Sequence, residues 1–458
     1  MAPEPEATTS ATTTVQKKPA ERQITVGVDP FRGGFNPHLV ADDTATTQAI
    51  AALVFPSAFV DGKLNEDVLV DAQLVDVPGS VQAVRYRLQD AAQWSDGTPI
   101  TGADFEYLWS ELKDTPGVID SAGYRAIQGV STSEGGKTVT VTFNHRVADW
   151  QRLFANLLPS HLLKEQEFSR TLQNQIPAAA NRYMVDTIDR GRGLVTLARN
   201  DRFWGPHPAQ TEKLSFLAVA NTLTGTEMLR TRQLNFLDLS PKQSSVAAYS
   251  LVPEVQTRTR NRSNELGITI GLTGEKRKAF ASLVDPKAIA EIATARNEHL
   301  TVPPWQAPKL DHDVELGVVR IKADPADDVA ATAATTLQDW LAHQGVKARV
   351  VGPSDASDVA IGWHRTGSDA LTLATRYQAV PELKDTLSGY ISGTVDEQAA
   401  TAAVGNYLAS SNTYIPLLAD TRVEALAPGL VGPDANLDQW PVKPAGSMTD
   451  AATWRLAQ

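Results

Sequence analysis

Three short stretches carry side chains suited to gripping a ligand. The turn-dense run Asp29 to His38 offers Arg32, Phe35 and His38. Its two glycines and two prolines hold it to one backbone path. Trp94 to Asp96 offers an aromatic ring and a carboxylate in a tight turn. Trp363, His364 and Arg365 end the apolar run that starts at Val359. A guanidinium pairs with phosphate or carboxylate through two parallel hydrogen bonds, and an aromatic ring offers a flat apolar face. Binding is therefore the chemistry these residues suggest.

Catalytic patterns are missing by comparison. The chain has no G-x-S-x-G, no P-loop, no H-E-x-x-H and no G-x-G-x-x-G. Its eight histidines are scattered, with no pair at ligand spacing, and it has no cysteine. Neither a metal site, a thiol site nor a cofactor is expected. The adjacent carboxylates Asp42-Asp43 and Asp327-Asp328 stand where helices are expected to begin, and the helix dipole accounts for them there. A non-enzymatic protein is the expectation.

These loops need elements to hold them. Val84, Tyr86 and Leu88 alternate with arginines as a strand, and the Trp94–Pro99 segment turns the chain. Thr101 stands three residues before Asp104, and Phe105, Leu108, Trp109 and Leu112 fall on one helix face. Strands are also expected at 24–28, 138–143, 194–197 and 213–219, and helices at 42–59 and over Trp150 to Leu157. Asp324-Pro325 is expected to cap a helix through His343, set between strands at 314–323 and 346–351. A further strand at 359–363 predicts a parallel sheet there. Two closing strands are expected at 415–418 and 423–426.

At 458 residues the chain exceeds one core and suits two or three lobes. The balance of 42 basic against 53 acidic residues, net −11, speaks against nucleic acid. The longest uncharged apolar run, from Ala45 to Val60, is broken by Pro56 and too short to span a bilayer. Residues 2–20 are rich in Pro, Glu, Ala and Thr without an apolar period, the composition of a solvated tether.

The strand, turn and capped helix of Tyr86 to Leu112, with Arg199-Asn200 ahead of Phe203-Trp204-Gly205, resemble the extracytoplasmic solute-binding proteins of the oligopeptide, dipeptide and nickel class. Longer runs are similar to the LpqW lipoprotein family of mycobacteria and corynebacteria. They include Gly34 to Leu39, Ala49 to Phe59, Tyr107-Leu108-Trp109, Pro116 to Tyr124, Glu134 to Lys137, Ile361 to His364 and Pro416 to Thr421.

The resemblance implies an α/β, periplasmic-binding-protein-like fold (class II, peptide-binding type), with two main lobes and a smaller inserted subdomain around a cleft. The expected division is a tether at 1–22, lobe I from 23–63, 171–265 and 406–458, inserted lobe II at 64–170, and lobe III at 266–405. It also implies an extracytoplasmic monomer, lipid-anchored to the plasma membrane through a signal peptide and Cys outside this sequence. By that resemblance the protein would steer phosphatidylinositol mannosides into lipomannan and lipoarabinomannan, through the glycolipid itself or a membrane mannosyltransferase. Arg32, His38 and Arg365 would then meet a phosphate, and Phe35, Trp94 and Trp363 a sugar face or acyl chain. The alternative is the substrate-binding component of a peptide ABC importer. In peptide-binding members the Trp matching Trp363 is soon followed by an Asp that pairs with the peptide's amine. Here His364 and Arg365 follow, and a cation repels an ammonium.

Overall fold

The computed structural model describes residues 22–457. The tether expected over 1–22 lies, apart from Arg22, outside the described residues. Ten strands form one large mixed sheet. In spatial order they are Ala348–Val351, Val319–Ala323, Val359–Arg365, Gln256–Ile270, Tyr414–Leu426, Phe236–Leu239, Gln23–Val28, Lys213–Ala218, Leu194–Arg199 and Tyr183–Asp189.

Two long central strands knit this sheet together. Gln256–Ile270 has 15 residues and Tyr414–Leu426 has 13, and they pair antiparallel along most of their length. The border expected at 265/266 falls inside the first of them. The two closing strands expected at 415–418 and 423–426 are one continuous strand. Pro416, which has no N–H for the ladder, sits beside a register shift against Leu266 and Gly267.

On one side of this pair, Val319–Ala323 runs parallel to both Ala348–Val351 and Val359–Arg365, as the strand–helix–strand pattern predicts. Helix Asp328–His343 supplies Leu337 and Leu341 to a core with Ile268, Phe280, Ile321 and Ile361. Asp327, and not Asp324, caps this helix, because its carboxylate accepts the free N–H groups of Val329 and Ala330. Asp324 closes the preceding turn onto the Ala326 N–H.

A second sheet, antiparallel and four-stranded, runs Leu69–Val75, Gln82–Leu88, Thr138–Phe143, Ile127–Ser133. Helix Gly102–Asp114 packs on it, opened by the reciprocal Thr101–Asp104 cap that the spacing predicts. The helix expected across 42–59 is confined to Ala45–Val54. Phe55 precedes Pro56, and the proline ring forces it into extended backbone, φ −101° and ψ 141°. Trp150 to Leu157 is no helix either. After one 3-10 turn, Trp150–Arg152, Phe154 and Asn156 take φ of 59° and 48°, which breaks any helical path. The apolar spacing there serves burial without helicity, since Leu153, Phe154 and Leu157 are all in the core. Among the described residues no helix is long and apolar enough to cross a membrane.

Candidate ligand cleft

A cleft of about 280 Å³ opens at the carboxyl ends of sheet strands. Asp29 to Arg32 follow strand Gln23–Val28, Val219 to Thr222 follow Lys213–Ala218, and Ser240 follows Phe236–Leu239. Trp363 and the start of helix Asp328–His343 close the opposite wall.

Charge pairing shapes its floor at Arg262, Asp420, Arg422 and Asp29, and continues into the sheet behind it. Alternation along Gln256–Ile270 sends Arg258, Arg260 and Arg262 to one face of the strand. Arg258 and Arg260 share Glu424 at 2.7 and 2.5 Å, and Arg260 also reaches Asp238 at 2.7 Å. Arg262 pairs with Asp420 at 2.9 Å, and Arg422 with Asp238 and Asp29 at 2.7 and 2.5 Å. Burial alone would lower the Arg422 pKa, but Asp29 and Asp238 reverse that and raise it. Each buried charge has a hydrogen-bonded counter-ion, the condition under which such charges are tolerated.

Asp327 organises the upper wall. Its carboxylate caps the helix, accepts the Trp363 indole N–H at 2.6 Å and pairs with the Arg32 guanidinium. These bonds fix the plane of the Trp363 ring at the cleft wall. Burial lowers the Arg32 pKa from its ordinary value, against the pull of Asp420 and Asp29.

Of the seven residues expected at a binding site, Arg32 and Trp363 line this cleft and five do not. Phe35 is buried beneath the Arg190 guanidinium, 5.1 Å from its ring centre. Trp94 is fully buried, its indole N–H donating to Asp104 at 3.3 Å, so its ring belongs to the core. His38 is buried with Nε2 2.9 Å from the Asn156 carbonyl, and burial pushes its pKa down to about 4. The imidazole is therefore neutral near pH 7 and donates from Nε2. His364 points away from Trp363, as strand alternation requires, and packs edge-on against Tyr414 with ring centres 5.4 Å apart. Burial also lowers its pKa to about 4.

Arg365 corrects the expectation of a free cation. It pairs with Asp43 at 3.0 Å and approaches Asp120 at 3.9 Å, so its charge is neutralised inside the protein. Asp43 in turn meets Arg262 at 3.4 Å and the Asn264 amide at 3.2 Å. Burial would raise its pKa, but Arg365 and Arg262 hold it at about 2. Asp42 accepts the backbone N–H groups of Gly34 and Asn36 at 2.6 and 3.2 Å. Pairing and loop closure, not the helix dipole, account for Asp42 and Asp43. Among the described residues no group of three His, Asp or Glu side chains is placed to hold a metal ion.

Two groups of elements that share a pair of long strands, with a polar cleft at strand ends between them, define a bilobed solute-binding protein. The chain belongs to the bacterial extracellular solute-binding proteins, family 5, whose sequence pattern matches residues 81–316. It is 30% identical over 319 residues to "Probable monoacyl phosphatidylinositol tetramannoside-binding protein LpqW" of Mycobacterium tuberculosis, covering 66% of this chain and 50% of that one. It is 26% identical over 221 residues to the M. tuberculosis oligopeptide-binding protein OppA, covering 44% of this chain and 37% of OppA. The chain thus spans half the length of LpqW or less of these relatives. Among solved structures, the periplasmic EDTA-binding protein EppA superposes with a TM-score of 0.70 at 20% identity, covering 99% of this chain and 100% of EppA.

Proposed function

We propose that this chain is a non-enzymatic, extracytoplasmic binding protein of LpqW type that holds the polar head of a phosphatidylinositol mannoside. Through that ligand it regulates the flow of the glycolipid into lipomannan and lipoarabinomannan by membrane mannosyltransferases. The observation that carries the reading is the Arg32–Asp327–Trp363 cluster at the cleft wall. It sets a fixed aromatic face beside a guanidinium, the pairing that suits a sugar ring next to a phosphate. The ligand named for the LpqW relatives supports it. A cleft of about 280 Å³ lies just below the size of ordinary ligand pockets. In this reading it takes the phosphate and the ring next to it, and the other sugars and the acyl chains stay outside. In this reading the protein is a monomer tethered to the membrane by a lipid anchor.

A second reading, the substrate-binding component of a peptide importer, draws on the likeness to OppA and on the carboxylate of Asp327 beside Trp363. In the first reading Arg32 already satisfies that carboxylate. Calorimetric titration with the deacylated tetramannoside head group and with mixed oligopeptides separates the two. Micromolar binding of the head group, weakened at least tenfold by Trp363→Ala, supports the glycolipid. Micromolar binding of peptides alone establishes the importer.

A further inference from the structure

Helix Ala45–Val54 reaches a second cavity with its other end. Thr44, Ala45 and Thr46 line the cleft described above, whereas Ala52 and Leu53 line a groove of about 870 Å³. The two share no lining residue. The groove is about three times the larger, well within the range of ligand pockets. Its walls come from 52–67, 152–156, 181–207 and 443–453, with Gln89 from a fifth part of the chain.

The formal charges around it largely cancel. Lys443 bridges Asp61 and Asp450 at 2.9 and 2.6 Å, and Arg182 lies 3.6 Å from Asp67. Several uncharged or partly used groups remain for a ligand. The Asn156 side-chain amide has no partner among the described residues, and the Arg182 guanidinium, 28% exposed and only 3.6 Å from Asp67, makes no side-chain hydrogen bond among them. Phe59 is half-buried in the wall and adds an aromatic surface. Asn156 and Phe154, in the wall and just behind it, hold φ of 48° and 59°. Left-handed backbone at residues other than glycine is costly and gathers at ligand-binding sites.

We propose that this groove is a second binding site, separate from the cleft, for a neutral oligosaccharide. An amide supplies both donor and acceptor to hydroxyl groups, a guanidinium N–H adds a donor, and a ring surface receives the C–H face of a sugar. Lys443 and Arg182 face carboxylates, and Lys63 and Glu66, which also line the groove, carry opposite charges, so the wall offers no net charge to a charged ligand.

The test uses the full chain and a panel of mannotetraose, maltotetraose and cellotetraose, read by saturation-transfer NMR and calorimetry. Two variants address the groove. Asn156→Gly removes the amide and suits the positive φ, and Ala445→Trp fills the space from the 443–453 wall. Trp363→Ala addresses the cleft. The expected result is binding of at least one tetrasaccharide, weakened about tenfold by Asn156→Gly, abolished by Ala445→Trp and unchanged by Trp363→Ala, with melting temperatures close to the parent's. No binding by any tetrasaccharide overturns the proposal, as does binding lost in Trp363→Ala or kept in Ala445→Trp. Because glycolipid capture by the cleft responds to Trp363→Ala alone, the two sites fail or succeed separately.

Discussion

Arg365 and Asp43 meet at 3.0 Å although 322 residues separate them along the chain. The pair ties the end of strand Val359–Arg365 to the entrance of helix Ala45–Val54 and so fixes the two sides of the cleft relative to one another. Removing the cation leaves a buried carboxylate with Arg262, Asn264 and Gln48 to satisfy it. Arg365→Ala is expected to lower unfolding stability by about 2 kcal/mol, between the values for surface and fully buried pairs. Urea denaturation at pH 7 checks this, and an unchanged midpoint contradicts it.

Glu424 is the most heavily used carboxylate of the sheet, accepting from Arg258, Arg260 and Ser447 at 2.7, 2.5 and 2.8 Å. Glu424→Gln leaves two buried guanidinium groups short of a counter-charge. The expected loss is about 3–5 kcal/mol, and calorimetric melting measures it. A change below ~1 kcal/mol would show that the arginine ladder carries little of the fold's stability.

His38 and His364 are both held near pKa 4 by burial. An unfolded histidine titrates near 6.5, so between those values the unfolded state binds more protons. Their contribution to stability is complete above about pH 6.5 and is lost as pH falls toward 4. For His38 the loss is of order 3 kcal/mol. Asp43, held at about 2, adds a further loss only below about pH 4. His38→Gln, which keeps an N–H for the Asn156 carbonyl, is expected to flatten the decline between pH 6.5 and 4.5. Equal slopes in the two proteins would place the pH sensitivity elsewhere.

Asp327 holds Arg32 in check. Asparagine has one acceptor oxygen, so Asp327→Asn keeps the cap on Val329 and Ala330 but loses the bond from the Trp363 N–H, and it is expected to cost about 1 kcal/mol of stability. It frees the Arg32 guanidinium for an anion. Affinity for a phosphorylated head group is expected to rise about tenfold, measured by titration. An affinity that does not rise would mean that the ligand does not use Arg32.

What the sequence disclosed was local. The Thr101–Asp104 cap, the alternation of Thr138 to Phe143 and the strand leading to Trp363 each depend on residues within one turn or one strand. Placing Trp363 at the cleft needed only the rule that ligands gather at strand ends. The partners of the charges were out of reach, because Asp43 finds Arg262 and Arg365 only after the lobes assemble. The alternation of Arg258, Arg260 and Arg262 does have the strand period. It carries no apolar residues, so a hydrophobic pattern passes over it, and with it Arg262 in the cleft. Trp94 and Phe35 have the chemistry of binding residues, but burial against Asp104 and Arg190 assigns them to the core.

The central claim is that the cleft beside Trp363 retains a mannosylated phosphoinositide and leaves it chemically unchanged. Native mass spectrometry of the protein mixed with acylated phosphatidylinositol tetramannoside tests it most directly. The account predicts one glycolipid of unaltered mass per chain, retained by the parent protein and released by Trp363→Ala. No adduct in the parent, or a glycolipid recovered with altered mass, would contradict it.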